Sequence, residues 1–290
     1  MISSKLYLNW TNIIFFSFLS FSTVIGVVLL CTFSHVPKAT WILAISLLFA
    51  NGLAITAGYH RLFAHNTYQA AWLLRLIFLL LAAGTFQGSA LEWCTDHRNH
   101  HLYTDTAKDP YNIKRGFWYA HIGWILQLNA NMRDFSNVND LMADPFIQWQ
   151  HKHYSPIAIM MGFILPMAVA SLWRDPLGGL VIAGLLVMTL NHHFTFAVNS
   201  VSHYFGKRPY SEHSSARDHW LTALITYGEG FHNFHHQFPL DYRSGFRFFH
   251  FDPAKWLIVF LAWLNLARNL KRVDKSRIQC YRLKMRARNN

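Results

Sequence analysis

The chain has 290 residues, 52% hydrophobic and 16% aromatic, with only 14% charged and a mean hydropathy of +0.14. That balance excludes an ordinary soluble domain and a disordered one, and with no linker or repeat to divide it, residues 1–290 read as one membrane domain. The net charge of +12 does not point to nucleic acid: nine of the 26 basic residues lie between Arg268 and Asn290 beside a single acid, Asp274, the pattern of a cytoplasmic terminus near anionic lipid.

Four segments reach the roughly 20 apolar residues that a bilayer requires: about 12–34, 39–59, 156–173 and 177–199. The first has no small-residue cleavage site after it and is expected to be a retained anchor rather than a signal peptide. His35-Val-Pro-Lys38 and Arg174-Asp-Pro176 are short enough to make each pair of segments a hairpin. The loop 60–155 carries eight basic residues and the region after 200 carries fifteen. By the positive-inside rule both termini and the long loop are cytoplasmic, giving a cap of residues 60–155 and 200–267 and a basic tail of 268–290. An apolar run at about 70–91 is broken by Arg75, Gln87 and Ser89, and is read as a helix in the cytoplasmic interface. Were it to cross the bilayer, His65 and His97 would face opposite sides. Trp256 to Leu266 is too short to span and is expected to rest on the surface.

Eight histidines fall in three motifs: His60-Arg-Leu-Phe-Ala-His65, His97-Arg-Asn-His100-His101 and His232-Asn-Phe-His235-His236. Neutral imidazole is the commonest metal ligand, and eight are too many for one tetrahedral zinc, so two metals are expected. Offsets of i, i+3 and i+4 place each of the last two trios on one helical stripe, able to aim three imidazoles at one place. His60 and His65 are five apart, which an α-helix splays; they are expected to converge only if the second membrane helix ends between them. Asn199 and His203, four apart at the end of the fourth span, add an amide oxygen and a ninth imidazole to the same layer. Soluble carboxylate-bridged di-iron sites need four Glu, and this chain has only Glu92, Glu212 and Glu229. Metalloprotease His-Glu-x-x-His is absent. A histidine-dominated pair with open positions suits oxygen-activating iron. Cys31, Cys94 and Cys280 are isolated, which excludes a disulfide framework, an iron–sulfur cluster and a zinc ribbon.

Around these motifs stand Ala54-Ile-Thr-Ala-Gly58, Glu92-Trp93, Thr104-Asp-Thr106, Asp109-Pro110 and Arg115-Gly-Phe-Trp-Tyr-Ala-His121-Ile-Gly-Trp124. Asn199-Ser-Val-Ser-His203, Gly228-Glu-Gly-Phe-His-Asn-Phe-His-His236 and Phe238-Pro-Leu-Asp-Tyr-Arg243 follow. From about Gly52 to about Leu270 the chain resembles the integral-membrane fatty acid desaturases, in particular the Δ9 acyl-CoA (stearoyl-CoA desaturase-like) branch. The resemblance implies an all-α integral membrane fold, four transmembrane helices with a cytoplasmic helical cap holding a di-iron site. It implies nine ligands, His60, His65, His97, His100, His101, His203, His232, His235 and His236, with Asn199 acting through a water. The implied chemistry removes two hydrogens from a saturated acyl chain, consuming O₂ and two electrons, to leave a cis double bond. No catalytic residue is implied beyond the metal site, since a methylene C–H has no acidity for a side chain to exploit.

By the same resemblance Gln87, Trp93 and Thr195 line the bend of a substrate tunnel. Leu48 and Gly52, four apart on one face of the second helix, are candidates for its closed end. On that expectation Gly52→Trp shortens the preferred substrate. Animal acyl-CoA desaturases carry basic residues where this chain reads Cys94-Thr95-Asp96 and Ile125-Leu-Gln-Leu-Asn129. That departure weakens CoA as head group and keeps acyl-lipid and acyl-carrier-protein substrates open, with Asp96 and Arg133 as the available head-group contacts. No His-Pro-Gly-Gly haem signature is present, so electrons are expected from a separate ferredoxin or cytochrome b5-type donor drawn to the basic face. A bacterial inner membrane is preferred over the endoplasmic reticulum because no targeting extension is visible. Two rivals remain: a related histidine-motif hydroxylase or ketolase, and a membrane metal carrier. A carrier would need polar groups near the bilayer midplane, whereas the histidines lie at helix ends and in the cap.

Overall fold

The computed structural model describes residues 7–128 and 134–289. Among the described residues, four helices are long and apolar enough to cross a membrane: α1 (Trp10–Phe33), α2 (Lys38–Ala64), α6 (Tyr154–Ser171) and α7 (Pro176–Tyr204). Between and after them lie α3 (Trp72–Ala83), α4 (Ala90–Tyr103), α5 (Pro145–Lys152), α8 (Trp220–Ile225), α9 (His232–Gln237), α10 (Pro253–Trp263) and α11 (Lys275–Asn289). Among the described residues, sheet beyond isolated bridges is confined to two antiparallel two-residue pairs. Tyr7–Leu8 (β1) pairs with Gln127–Leu128 (β3), and Gln69–Ala70 (β2) with Ala267–Arg268 (β4).

The long helices follow from their composition. α1 is apolar all round and turns Ile14, Phe18, Phe21, Val28 and Phe33 outward, the behaviour of a helix whose solvent is hydrocarbon. α7 is the most enclosed of the four, with Val181, Ile182, Ala183, Val187 and Met188 buried against α1 and α2. Gly162 on α6 lets backbones meet: a Cβ there would stand 2.9 Å from the Gly84 carbonyl oxygen, the small-residue contact that membrane helices use. The two hairpin turns meet at one end, where Thr40 Oγ1 donates to Asp175 at 2.5 Å and Trp173 Nε1 donates to Thr40 at 2.9 Å.

α3 has twelve residues, about 18 Å of helix and too short to cross. Arg75 on it pairs with Asp144 at the head of α5. α10 also falls short of a span and exposes Trp256, Phe260 and Trp263.

α2 does not stop at Tyr59. It continues to Ala64 with i→i+5 hydrogen bonding over Ala54–Ala64, and the His65 N–H donates to the His60 carbonyl at 3.1 Å. This corrects the expectation that the helix must end between the two histidines. The wider turn of a π-helix sets residues five apart on one face, so convergence comes from changing the helix rather than breaking it.

Candidate metal centre

The nine histidine side chains form two groups. His60, His65, His97, His101 and His235 make one, and His100, His203, His232 and His236 the other, with the ligand atoms of each group all within 4.8 Å of one another. Neither trio aims at a single place, contrary to the helical-stripe expectation. On α4, His97 and His101 turn to the five-histidine group and His100 to the four-histidine group. On α9, His232 and His236 join the second group and His235 the first. Each trio therefore braces both groups, whereas His60 and His65 both serve the first.

Local sequence explains how the carriers are held. α4 begins in a capping box: the Ser89 hydroxyl accepts from the Glu92 N–H at 3.3 Å, and Glu92 accepts from the Ser89 N–H at 3.0 Å. α9 is only six residues long, and its exposed N–H groups need an outside acceptor. Asp218 supplies it, accepting from Asn233 N at 2.9 Å and Phe234 N at 3.1 Å. Gly228 and Gly230 let the preceding turn close; a Cβ on either would strike Asp252 or the backbone of Ala223.

All the close contacts inside the groups are between Nε2 atoms. In the first group His60–His235 is 3.0 Å, His65–His97 2.8 Å and His101–His235 2.9 Å. In the second, His100–His236 is 3.2 Å, His203–His232 3.1 Å and His232–His236 3.1 Å. Two imidazole nitrogens at ~2.1 Å from one cation and at right angles stand roughly 3 Å apart. The outer nitrogens fix the tautomers. His100 Nδ1 donates to Asp109 at 2.8 Å. The one proton of Ser215 Oγ goes to Asp105 at 2.5 Å, so His203 Nδ1, 2.7 Å away, donates to Ser215. Both leave an Nε2 lone pair pointing inward, as a metal ligand requires.

Burial, then the neighbouring imidazoles, pushes His65, His97, His101, His235 and His236 well below the ordinary histidine value, and His232 down to about 3. Neutral imidazoles crowded at van der Waals range fit cations, and the donor set fits two of them.

Behind His60 lies a buried charge cluster. Arg61 donates to Glu229 from Nε at 3.0 Å and Nη2 at 2.8 Å, to the Tyr242 carbonyl at 2.9 Å, and stands 2.9 Å from Asp252. Burial alone would raise the Glu229 carboxyl; the Arg61 guanidinium and His60 outweigh it and hold Glu229 well below the usual carboxylate range. Glu229 Oε1 also stands 3.2 Å from His60 Nδ1.

One cleft runs past both groups. Its walls include His60 and His97 of the first group, His100 and His232 of the second, and Gly52, Gln87, Trp93, Asp96, Thr195 and Asn199. Trp93 stacks on the His97 ring at 5.0 Å. Among the described residues that line it there is no Lys or Arg. Leu48 is not among the lining residues and packs with the apolar cluster of α1 and α7. The space beside Gly52 is already filled by the Tyr227 ring, with which any Cβ at position 52 would collide, so Gly52→Trp has no free room to occupy. Arg133 lies outside the described residues.

Sequence reasoning missed Tyr227, Ser215 and the roles of Arg61, Asp109 and Tyr111; Asp109 and Glu229 stood in recognised motifs, but no spacing signal reached Ser215. His121 and His193 pair with each other at 3.1 Å, away from both groups.

Four long apolar helices, with two imidazole groups suited to metal beside one cleft, define a multi-pass membrane protein with a candidate metal site. Residues 38–266 match the family model for fatty acid desaturases. The chain is 43% identical over 275 residues to "Probable acyl-CoA desaturase" of Schizosaccharomyces pombe, covering 94% of this chain and 57% of that protein. It is 40% identical over 230 residues to "Acyl-CoA desaturase 1" of Saccharomyces cerevisiae, covering 79% of this chain and 45% of that one. To "Stearoyl-CoA desaturase 5" of Homo sapiens it is 37% identical over 281 residues, 93% of this chain and 83% of that protein. It thus spans about half the length of the two yeast relatives and most of the human one. The chain belongs to the fatty acid desaturase family. The relatives are fungal and animal, which overturns the preference for a bacterial inner membrane.

Proposed function

We propose that this chain is an acyl-CoA desaturase that inserts a cis double bond, at Δ9, into a saturated acyl chain lying in the cleft. The observation that carries the reading is that one cleft is walled by two histidines of each imidazole group. A substrate there lies against both metal positions at once. His60, His65, His97, His101 and His235 would hold one iron, and His100, His203, His232 and His236 the other, with Asn199 reaching the second through a water. Bound iron would supply the oxidising power, drawn from O₂ and two electrons, that no side chain has against an unactivated methylene.

The chain's own share is placement. Ile55, Trp93, Phe194 and Phe196 give the cleft apolar walls that exclude water and grip methylenes by area alone. Trp93, pressed on His97, narrows the passage at the metal layer. Gln87 and Thr195 contribute the polar atoms at the bend. Tyr111, whose hydroxyl stands 3.4 Å from His97 Nδ1, and Asp109 keep the α4 imidazoles turned inward. The names of the relatives support CoA as head group, despite the missing Lys and Arg at 94–96 and 125–129. Asp96 in the cleft wall and Arg133 remain the proposed head-group contacts. We further place the cap on the cytoplasmic side, where the six cations of α11 would draw an acidic ferredoxin or cytochrome b5-type donor.

The test is the fatty acid profile of a desaturase-deficient host expressing the chain beside His235→Ala, with double bonds placed by mass spectrometry of dimethyl disulfide adducts. Δ9 monoenes that vanish in the variant are expected. A hydroxylated product would move the chain to the hydroxylases, and no product from folded, iron-loaded protein supplied with donor would sink the reading.

A further inference from the structure

Tyr227 sits where no motif predicted a functional residue. It follows α8 directly, on the turn that leads to Glu229 and α9. Its side chain lies across α2, covering Gly52: the ring occupies the volume that a Cβ on residue 52 would need. The hydroxyl donates to the Leu48 carbonyl at 2.8 Å, and the Phe49 ring meets it edge-on at 5.6 Å. Three residues within one turn of α2 thus hold one aromatic side chain in place. Its backbone is also committed, with φ at +56°, a left-handed conformation that bulky residues rarely adopt.

The cleft ends at this contact. Gly52, Ile55, Thr56 and His60 form its α2 wall, and nothing on α2 before Gly52 belongs to it. Leu48, one turn nearer the hairpin, faces the α1–α7 packing instead. Tyr227 and Thr226 stand on the lining opposite Gly52. The passage leaves the metal layer at His60, follows α2 for about 12 Å of rise, and stops against the tyrosine.

We propose that Tyr227 is the specificity-determining plug of the acyl tunnel, seated over Gly52 and latched to the Leu48 carbonyl, and that it sets the longest chain the cleft accepts. The inference rests on the acyl-chain reading of the cleft. It makes residues 52 and 227 a complementary pair in which the absent side chain of one is replaced by the large ring of the other. Because each methylene excluded from an apolar pocket costs about tenfold or more, a plug fixed by a hydrogen bond gives a sharp cutoff rather than a gradual one.

The test needs no turnover. Purified full-length protein in detergent is titrated with saturated acyl-CoA thioesters from lauroyl to arachidoyl, and thermal stabilisation is read against chain length. Wild type is expected to gain stabilisation up to one length and then lose it. Tyr227→Ala should move that cutoff at least one step up the ladder, with affinity for the first excluded thioester rising about tenfold. Tyr227→Phe, which keeps the ring and loses the latch, should move it less and serves as the folded control. Gly52→Leu placed in the Tyr227→Ala background should refill the space and restore the original cutoff. The same cutoff in wild type and Tyr227→Ala, or no restoration by Gly52→Leu, overturns the plug. Failure of wild type to bind any thioester sinks the acyl-CoA reading itself, and the plug with it.

Discussion

In the five-histidine group, His60 and His65 meet because α2 widens into i→i+5 turns, and His60 backs onto the buried Arg61–Glu229–Asp252 cluster. In the four-histidine group, His100 and His203 sit on ordinary α-helices and are steered by single outward bonds to Asp109 and Ser215. One group is shaped by backbone and charge, the other by side-chain hydrogen bonds. The pairing teaches that similar ligand sets tolerate change differently: a shift of register should ruin the first, and loss of a carboxylate should loosen the second.

The sharpest way to break that contrast is to move one ligand by one residue. Ala64→His combined with His65→Ala moves the imidazole by one residue, roughly 80–100° around the axis of α2, away from the direction in which His65 reaches its group. The expected outcome is loss of metal from the five-histidine group, by about a hundredfold or more in affinity, read as metal per protein after dialysis. Full retention would show that the register of α2 is not what holds the group.

Next in size is Arg61→Met. It removes the cation from between the buried Glu229 and Asp252 carboxylates, a loss of about 3–5 kcal/mol. Unfolding of the detergent-solubilised protein should shift accordingly, with His60 losing its backing. A change within error would mean that the cluster contributes nothing net.

Asp109→Asn probes the other group. Removing a carboxylate that orients a ligating histidine costs about 10- to 100-fold in metal affinity, and here it should fall on the four-histidine metal first. Metal titration monitored by absorbance should then resolve two unequal sites where wild type has closer ones.

The smallest effect per group is that of pH. His232 is held down to about 3, mainly by burial, against about 6.5 in an unfolded chain. Above about 6.5 both states are neutral and the group contributes no pH dependence. Below that, the unfolded chain takes a proton and the folded one does not until about 3, so stability falls as pH falls, by about 1.4 kcal/mol per unit for this group. Thermal unfolding of chelator-treated protein at about pH 7.5 and about pH 5.5 checks the sign. His65, His97, His101 and His235 of the five-histidine group and His236 of the four-histidine group shift in the same direction, so both groups should add to that loss.

Much of this molecule is legible along the chain, because apolar length and histidine spacing are local properties. The four long helices, the shortness of α3 and α10, and the nine candidate imidazoles all follow from composition and from runs of a few residues. Local spacing fails where partners are distant. Nothing in His60-x-x-x-x-His65 says whether the helix will break or widen; packing of Gly58 against Phe78 and of Tyr59 inside the core decides that. Nor does i, i+3, i+4 spacing say that a trio will divide between two groups, because the division depends on what stands opposite: His235 faces His60, and His236 faces His100. Ser215 and Tyr227 carry no motif at all, since each acts across a sequence gap on a group it meets only in the folded chain. The sequence by itself determined which residues metal-binding chemistry could draw on and that they lie at helix ends and in the cap. Only the tertiary structure decided which imidazoles share a centre, which outward bond orients each, and where the cleft stops, because those depend on atoms brought together from chain positions as far apart as residues 52 and 227.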